Sequence, residues 1–284
     1  MRHRTRAITW ALLLAGMPLA LGVVPLAAQE QTRESMALDN TAAQWSFQFA
    51  YQRMLDYRQD TLANGFVRPA GNKGYAQFRM VAPISLGTVT ILPRLTARLS
   101  ENKDGEWGLS PTDLFALIVP FQWSTGRLGV GPDLVFPGSA KVGSNEWAYG
   151  LAGAVIQRFF DEKLMVGLLL QQTWGRRDVI DPDQPVPTDS TETGANPIII
   201  NPFVNLQLGN GWYLGTNDLQ AQYSWEFGGW KLPVGARLGY VLVRPKNSWN
   251  FYVEYATDFA TGDWPGAAAK HKVRINASFS IPVG

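Results

Sequence analysis

Ten ionisable residues are spaced so that strand alternation turns them to one side of a sheet. Arg79, Arg94, Arg98, Lys272 and Arg274 form a basic group, Asp218, Glu226, Glu254 and Asp258 an acidic one, and Arg237 lies among the acids. Such a set performs no covalent chemistry. Placed on the inner wall of a barrel, opposed basic and acidic sectors set a transverse field across a pore, and that field orients a polar solute. The same residues admit a second arrangement, in which the charges pair across a narrow, filled lumen.

Other chemistries find little material. The chain has no cysteine and two histidines. That excludes disulfides, thiolate zinc sites, a thiol nucleophile and an N-terminal lipidated cysteine. His3 belongs to the basic leader, and His271 falls on the lipid-facing parity near a strand end, where an interfacial histidine is expected rather than a general base. No paired-carboxylate signature, phosphate loop, dinucleotide fingerprint or zinc-ligand spacing is present. Asp178, Asp181, Asp183 and Asp189 are irregularly spaced and interrupted by proline, so they read as a solvated loop rather than a calcium site. The expectation is a protein that is not an enzyme and uses no cofactor or metal. Net charge is +2, and it falls to −1 once Arg2, Arg4 and Arg6 are set aside, which leaves no basic patch for nucleic acid.

The elements that carry the charges are strands. Residues 75–99 alternate strictly: Ala76, Phe78, Met80, Ala82, Ile84 and Leu86, then Val89, Ile91, Leu95, Ala97 and Leu99, share one face, and Gln77, Arg79, Thr90, Arg94, Thr96 and Arg98 the other. Gly87 centres the turn, so the stretch predicts a hairpin. Each arm is about a dozen residues long, beyond the ~5–6 of soluble strands and enough for the ~9–11 of a tilted membrane strand. The same reading predicts further strands over 43–55, 111–123, 127–137, 146–160, 163–174, 196–208, 211–226, 230–244, 247–258 and 270–283, twelve in all. On the fourth, Phe115, Leu117, Val119, Phe121 and Trp123 are expected on one apolar face.

Connections alternate long and short, except after the ninth strand, as in outer-membrane barrels with long external loops and short periplasmic turns. Trp45, Trp123, Trp212 and Trp249 fall at one end of the strands, Trp147, Trp174, Trp225 and Trp230 at the other, two aromatic girdles. A soluble periplasmic β-sandwich explains neither feature. The chain is therefore expected to be all-β: a single antiparallel transmembrane barrel spanning residues 43–284, with both termini periplasmic. Residues 1–28 carry a basic start, an uncharged apolar run and Ala27-Ala28, and read as a cleaved export signal. Residues 29–42 are polar and aperiodic, a periplasmic lead-in that can also fold into the lumen.

Several short stretches resemble the MetA-pathway of phenol degradation family. They are Leu128-Gly129-Val130-Gly131-Pro132, Phe136-Pro137, Glu146-Trp147-Ala148-Tyr149-Gly150, Gly211-Trp212-Tyr213, Trp230-Lys231-Leu232-Pro233-Val234-Gly235 and Phe279-Ser280-Ile281-Pro282. The resemblance runs from about Asp113 to the C-terminus. It implies an outer-membrane barrel that moves aromatic or other hydrophobic compounds, and it transfers no binding residue. Together these readings lead to a Gram-negative outer-membrane barrel that passively transports small molecules, its partners being membrane lipid and a small-molecule solute. The alternative is a plugged structural or binding barrel whose external loops contact a partner or surface.

Overall fold

Alternation along the chain becomes a sheet that closes on itself. The computed structural model describes residues 31–283 except 40, 63, 64, 66, 88, 143–145, 176–196, 217, 226, 227 and 263. The export-signal reading of residues 1–28, the loop carboxylates Asp178 to Asp189 and Glu226 lie outside the described residues. A short helix, α1 (Arg33–Leu38), precedes β1 (Gln44–Tyr57), β2 (Gly74–Val81), β3 (Ile84–Leu86), β4 (Val89–Glu101), β5 (Trp107–Leu109), β6 (Thr112–Trp123), β7 (Gly126–Phe136) and β8 (Ala148–Phe159). Then follow β9 (Leu164–Gly175), β10 (Ile198–Gly209), β11 (Trp212–Gly215), β12 (Ala221–Ser224), β13 (Gly229–Val243), β14 (Ser248–Thr261) and β15 (Ala269–Pro282).

Every neighbour in the sheet is antiparallel, β1 pairs with β15, and β9 pairs with β10, so no open edge remains. Three staves are segmented. β3 continues β2 against β4, β5 continues β6 against β4, and β11 and β12 both lie between β10 and β13. The barrel therefore has twelve staves, the expected number. Closure satisfies the backbone within lipid, where no water replaces a missing bond.

Outward residues are apolar. Phe49, Ile118, Leu151, Val234, Val253 and Ile275 are exposed at mid-strand, and Trp45, Trp123, Trp212 and Trp249 ring the end with short turns. Trp147, Trp174 and Trp225 are exposed at the end with long loops. Inward positions are polar in one sector and apolar in another, where Val81, Leu92, Phe115, Leu117, Val119, Ala152, Ala154 and Leu169 cluster.

That cluster corrects one expectation. Phe115, Leu117 and Val119 do not share a face with Phe121 and Trp123. Ile118 pairs with Val130 but Phe121 with Leu128, so two residues, Val119 and Pro120, oppose Gly129 alone. This β-bulge flips the parity. Before it the odd positions point inward; after it they meet lipid, and Phe121 is 64% exposed where Phe115 is 2%. A second correction concerns residues 211–226, expected as one strand. Asn205 faces Gly215 and Ile200 faces Ala221, so five residues, 216–220, span the distance that four, 201–204, cover on β10. The extra residue ends β11, begins β12 in the opposite parity and leaves Asp218 on a short loop. Pro202 and Pro233, which carry no N–H, flank this break on β10 and β13.

Candidate functional site

The barrel interior is layered along its axis. Nearest the long loops is a cavity of about 320 Å3, walled by Gln52, Tyr57, Tyr75, Arg98, Lys231, Asp258 and Lys272 among others, with Asp218 and Gln220 at its base. Beneath it lies a layer of charge. Below that, α1 occupies the end with the short turns.

Asp218 is the centre of the charged layer. Leaving the strand lets its carboxylate reach across the lumen, where it accepts from Arg79 Nη1 at 3.2 Å, Arg237 Nη2 at 2.8 Å and Tyr252 Oη at 2.7 Å. Arg274 Nε stands 3.9 Å away. Register supplies the rest. Arg237 faces Glu254 on β14 and Glu254 faces Arg274 on β15, so three alternating charges lie side by side on three staves. Arg237 also donates to Glu254 Oε2 at 2.7 Å. Its guanidinium lies 3.7 Å from the centroid of the Tyr252 ring. Closer to the long loops, Lys272 donates to Asp258 Oδ1 at 2.5 Å. Arg98 donates to Gln77 and sits over the Tyr75 ring at 5.5 Å. Arg94, 6% exposed, lies over Phe115 at 4.0 Å, and its Nε has no partner among the described residues.

Of the ten residues singled out in the sequence, the nine described all face the interior. Most of them pair directly, the acids of β14 and the 216–220 loop being bonded to bases of β2, β13 and β15, while Arg94 and Arg98 of β4 bond no acid. Hence the basic and acidic sectors meet rather than face each other across open water. The sequence reading did not single out Asp39, Arg127, Arg158, Asp113 or Asp133. Arg127 and Asp133 carry a signal in hindsight, since both fall on the inward parity of the strand predicted over 127–137.

Residues 31–42 fill the other end. Thr32 caps α1 by accepting from Ser35 N–H, and it donates through its own hydroxyl to Glu162 in the β8–β9 turn. Arg33 donates to the carbonyls of Arg244 and Pro245 in the β13–β14 turn. Leu38 belongs to one buried apolar cluster with Ile156, Met165, Phe203, Tyr213, Val241 and Tyr252. Two glycines make room for that cluster: a Cβ on Gly167 would strike the Phe203 ring at 2.1 Å, and one on Gly239 the Tyr213 ring at 2.3 Å. Asp39, 2% exposed, pairs with Arg127 at 3.0 Å and lies 3.7 Å from Arg158. The far end is partly roofed by loops. Arg68, 2% exposed, donates to Asp60 and to the carbonyls of Trp264 and Gly266, tying the loop after β1 to the one after β14. The Arg68 guanidinium holds the Asp60 carboxyl below its ordinary value by hydrogen bonding. His271, on the outer face, is 2.6 Å from Tyr255 Oη.

No family model matches the chain, and no curated protein does. Among solved structures it is similar to an outer-membrane channel from Pseudomonas putida F1, with a TM-score of 0.58 and 14% identity over 91% of this chain and 99% of that one. The KdgM porin and the NanC porin each superpose with a TM-score of 0.45, at 11% and 10% identity, over 84% of this chain and 99% and 100% of theirs. At such identity the likeness to the first is one of fold, that of an outer-membrane β-barrel.

Proposed function

We propose that this protein is a passive outer-membrane channel for small molecules, held shut in the conformation described. One observation carries the reading: two of the elements that block the lumen, Asp218 and α1, stand off the staves, whereas Arg79, Arg237, Glu254 and Arg274 belong to the wall. Asp218 stands on a loop that interrupts a stave, and α1 stands on the segment before β1. Both can move without breaking a ladder hydrogen bond between staves. A barrel built only as a scaffold has no use for blockers so arranged. In this reading the long loops face outward, both termini are periplasmic, and residues 1–28 are removed on export. The likeness of fold to an outer-membrane channel is consistent with it.

The cavity suggests the class of solute. Tyr57 and Tyr75 offer ring faces, while Arg98, Lys231, Lys272 and Asp258 offer charge, a mixture suited to a small aromatic bearing a polar group. The resemblance of residues 113–284 to the phenol-degradation family points the same way. The contrary reading, a plugged binding barrel, draws on the filled short-turn end and on the roof made by Arg68 and Trp264.

Uptake into liposomes separates the two. Refolded protein is compared with a variant lacking residues 31–41 and with Asp218→Asn, using arabinose and phenol as solutes. A channel gives slow uptake in the wild type and at least several-fold faster uptake in the deletion variant. Equal rates for both, with heat-modifiable migration showing that each is folded, overturn the channel and leave the plugged barrel.

A further inference from the structure

Two carboxylates on the inner wall lack the partners that burial demands. Asp133 on β7 is 2% exposed, and Asp113 on β6 is half-buried. Both approach one nitrogen: Gln171 Nε2, on β9, donates to Asp113 Oδ2 at 2.8 Å and to Asp133 Oδ2 at 3.0 Å. Oδ1 of each acid has no hydrogen-bond partner among the described residues, and no lysine or arginine there pairs with either. Arg94, the nearest base on the neighbouring stave, is turned over the Phe115 ring instead. One neutral amide and the more distant charge of Arg94 only partly offset two carboxylates drawn together in a water-poor interior, where like charges repel and each loses its hydration.

The wall brings this place next to the large cavity, although none of the three side chains lines it. Pro111 and Ile199 line the large cavity. Pro111 lies two residues from Asp113, on the same face of its stave, and Ile199 is the register partner of Gln171. The pair thus adjoins the cavity rather than the sealed α1 end. Turning the Gln171 amide about its last torsion presents Oε1 where Nε2 now stands. The three side chains then offer only oxygen, the donor set preferred by hard divalent cations, with water completing the shell.

We propose that Asp113, Asp133 and the Gln171 side chain form a site for a calcium-class divalent cation beside the cavity. Its charge would neutralise both acids. The site does not depend on the channel reading, since binding is measured without solute movement.

Calcium chloride is titrated into the refolded full chain by calorimetry, with Asp113→Asn and Asp133→Asn as variants. The expected result is saturable binding that weakens at least tenfold in each variant, together with a calcium-dependent rise in the wild-type melting temperature that Asp133→Asn abolishes. In chelator, Asp133→Asn is expected to melt no lower than the wild type, because repulsion is relieved; this also shows that the variant folds. Absence of saturable binding to the wild type overturns the site, and is the outcome if the two acids share a proton instead. Binding of equal strength in both variants also overturns it, and is the outcome if the ion sits on Asp178, Asp181, Asp183 and Asp189.

Discussion

At the scale of single residues, the interior charges are interlocked. Arg237 touches Asp218 and Glu254 and covers Tyr252, so replacing it leaves two buried carboxylates short of a cation. Breaking a buried pair by removing one partner costs about 3–5 kcal/mol. Arg237→Met is therefore expected to lower unfolding stability by that order in urea titrations of liposome-embedded protein. A combined variant that also carries Asp218→Asn and Glu254→Gln is expected to recover part of the loss. The Arg68–Asp60 clamp adds a pH dependence. Asp60 is held below its ordinary value by the Arg68 hydrogen bond. Its contribution is complete above the usual aspartate value of about 3.9 and is lost as pH falls through the lowered one. Loop 58–73 should accordingly be cleaved by pepsin faster at about pH 2 than at about pH 4, by a larger ratio than in Arg68→Ala, which lacks the clamp at both, and Arg68→Ala should make the same loop cleavable by trypsin at neutral pH.

Elements show what a sequence discloses and what it hides. The twelve staves were legible because the bilayer enforces a simple pattern: apolar outside, a fixed minimum length and tryptophan at both ends. Where one stave gains a residue, the pattern shifts phase without any change in composition. Phe115, Leu117 and Val119 look like lipid-facing residues, and only the pairing of Ile118 with Val130 and Phe121 with Leu128 shows otherwise. Likewise Asp218 has the right parity for the lumen, yet it reaches it from a loop whose existence depends on the count of residues on the neighbouring stave. Register lies between strands, and one chain segment does not report it. Substitution can test these assignments. Val253, outward at mid-strand and 55% exposed, should tolerate arginine poorly, by about 2–4 kcal/mol. Phe121→Asp should hinder membrane insertion more than Ser278→Asp, which adds its charge on the inner face.

On the scale of the whole molecule, the filling of the barrel was the part least accessible to sequence reasoning. Residues 29–42 show no period, so nothing in them says that Leu38 joins a buried apolar cluster or that Asp39 has two guanidinium neighbours. Those partners come from staves far apart in sequence. Removal of residues 31–41 should leave a barrel that still migrates as folded but unfolds at lower urea, since Leu38 and Asp39 lose their contacts while the wall keeps its own.

The position of α1 in the chain limits what opening can mean. Leu38 ends the helix and Gln44 begins β1, and the five residues between them extend to about 17 Å at most. The C-terminal end of a released helix would stay within about that distance of the start of β1, at an effective concentration in the millimolar range. Reseating would then be a first-order event, independent of how much protein the membrane holds. If the protein is the channel proposed above, such a tethered stopper would give brief, self-terminating openings whose duration follows the strength of the Leu38 and Asp39 contacts, and dilution would not wash it away.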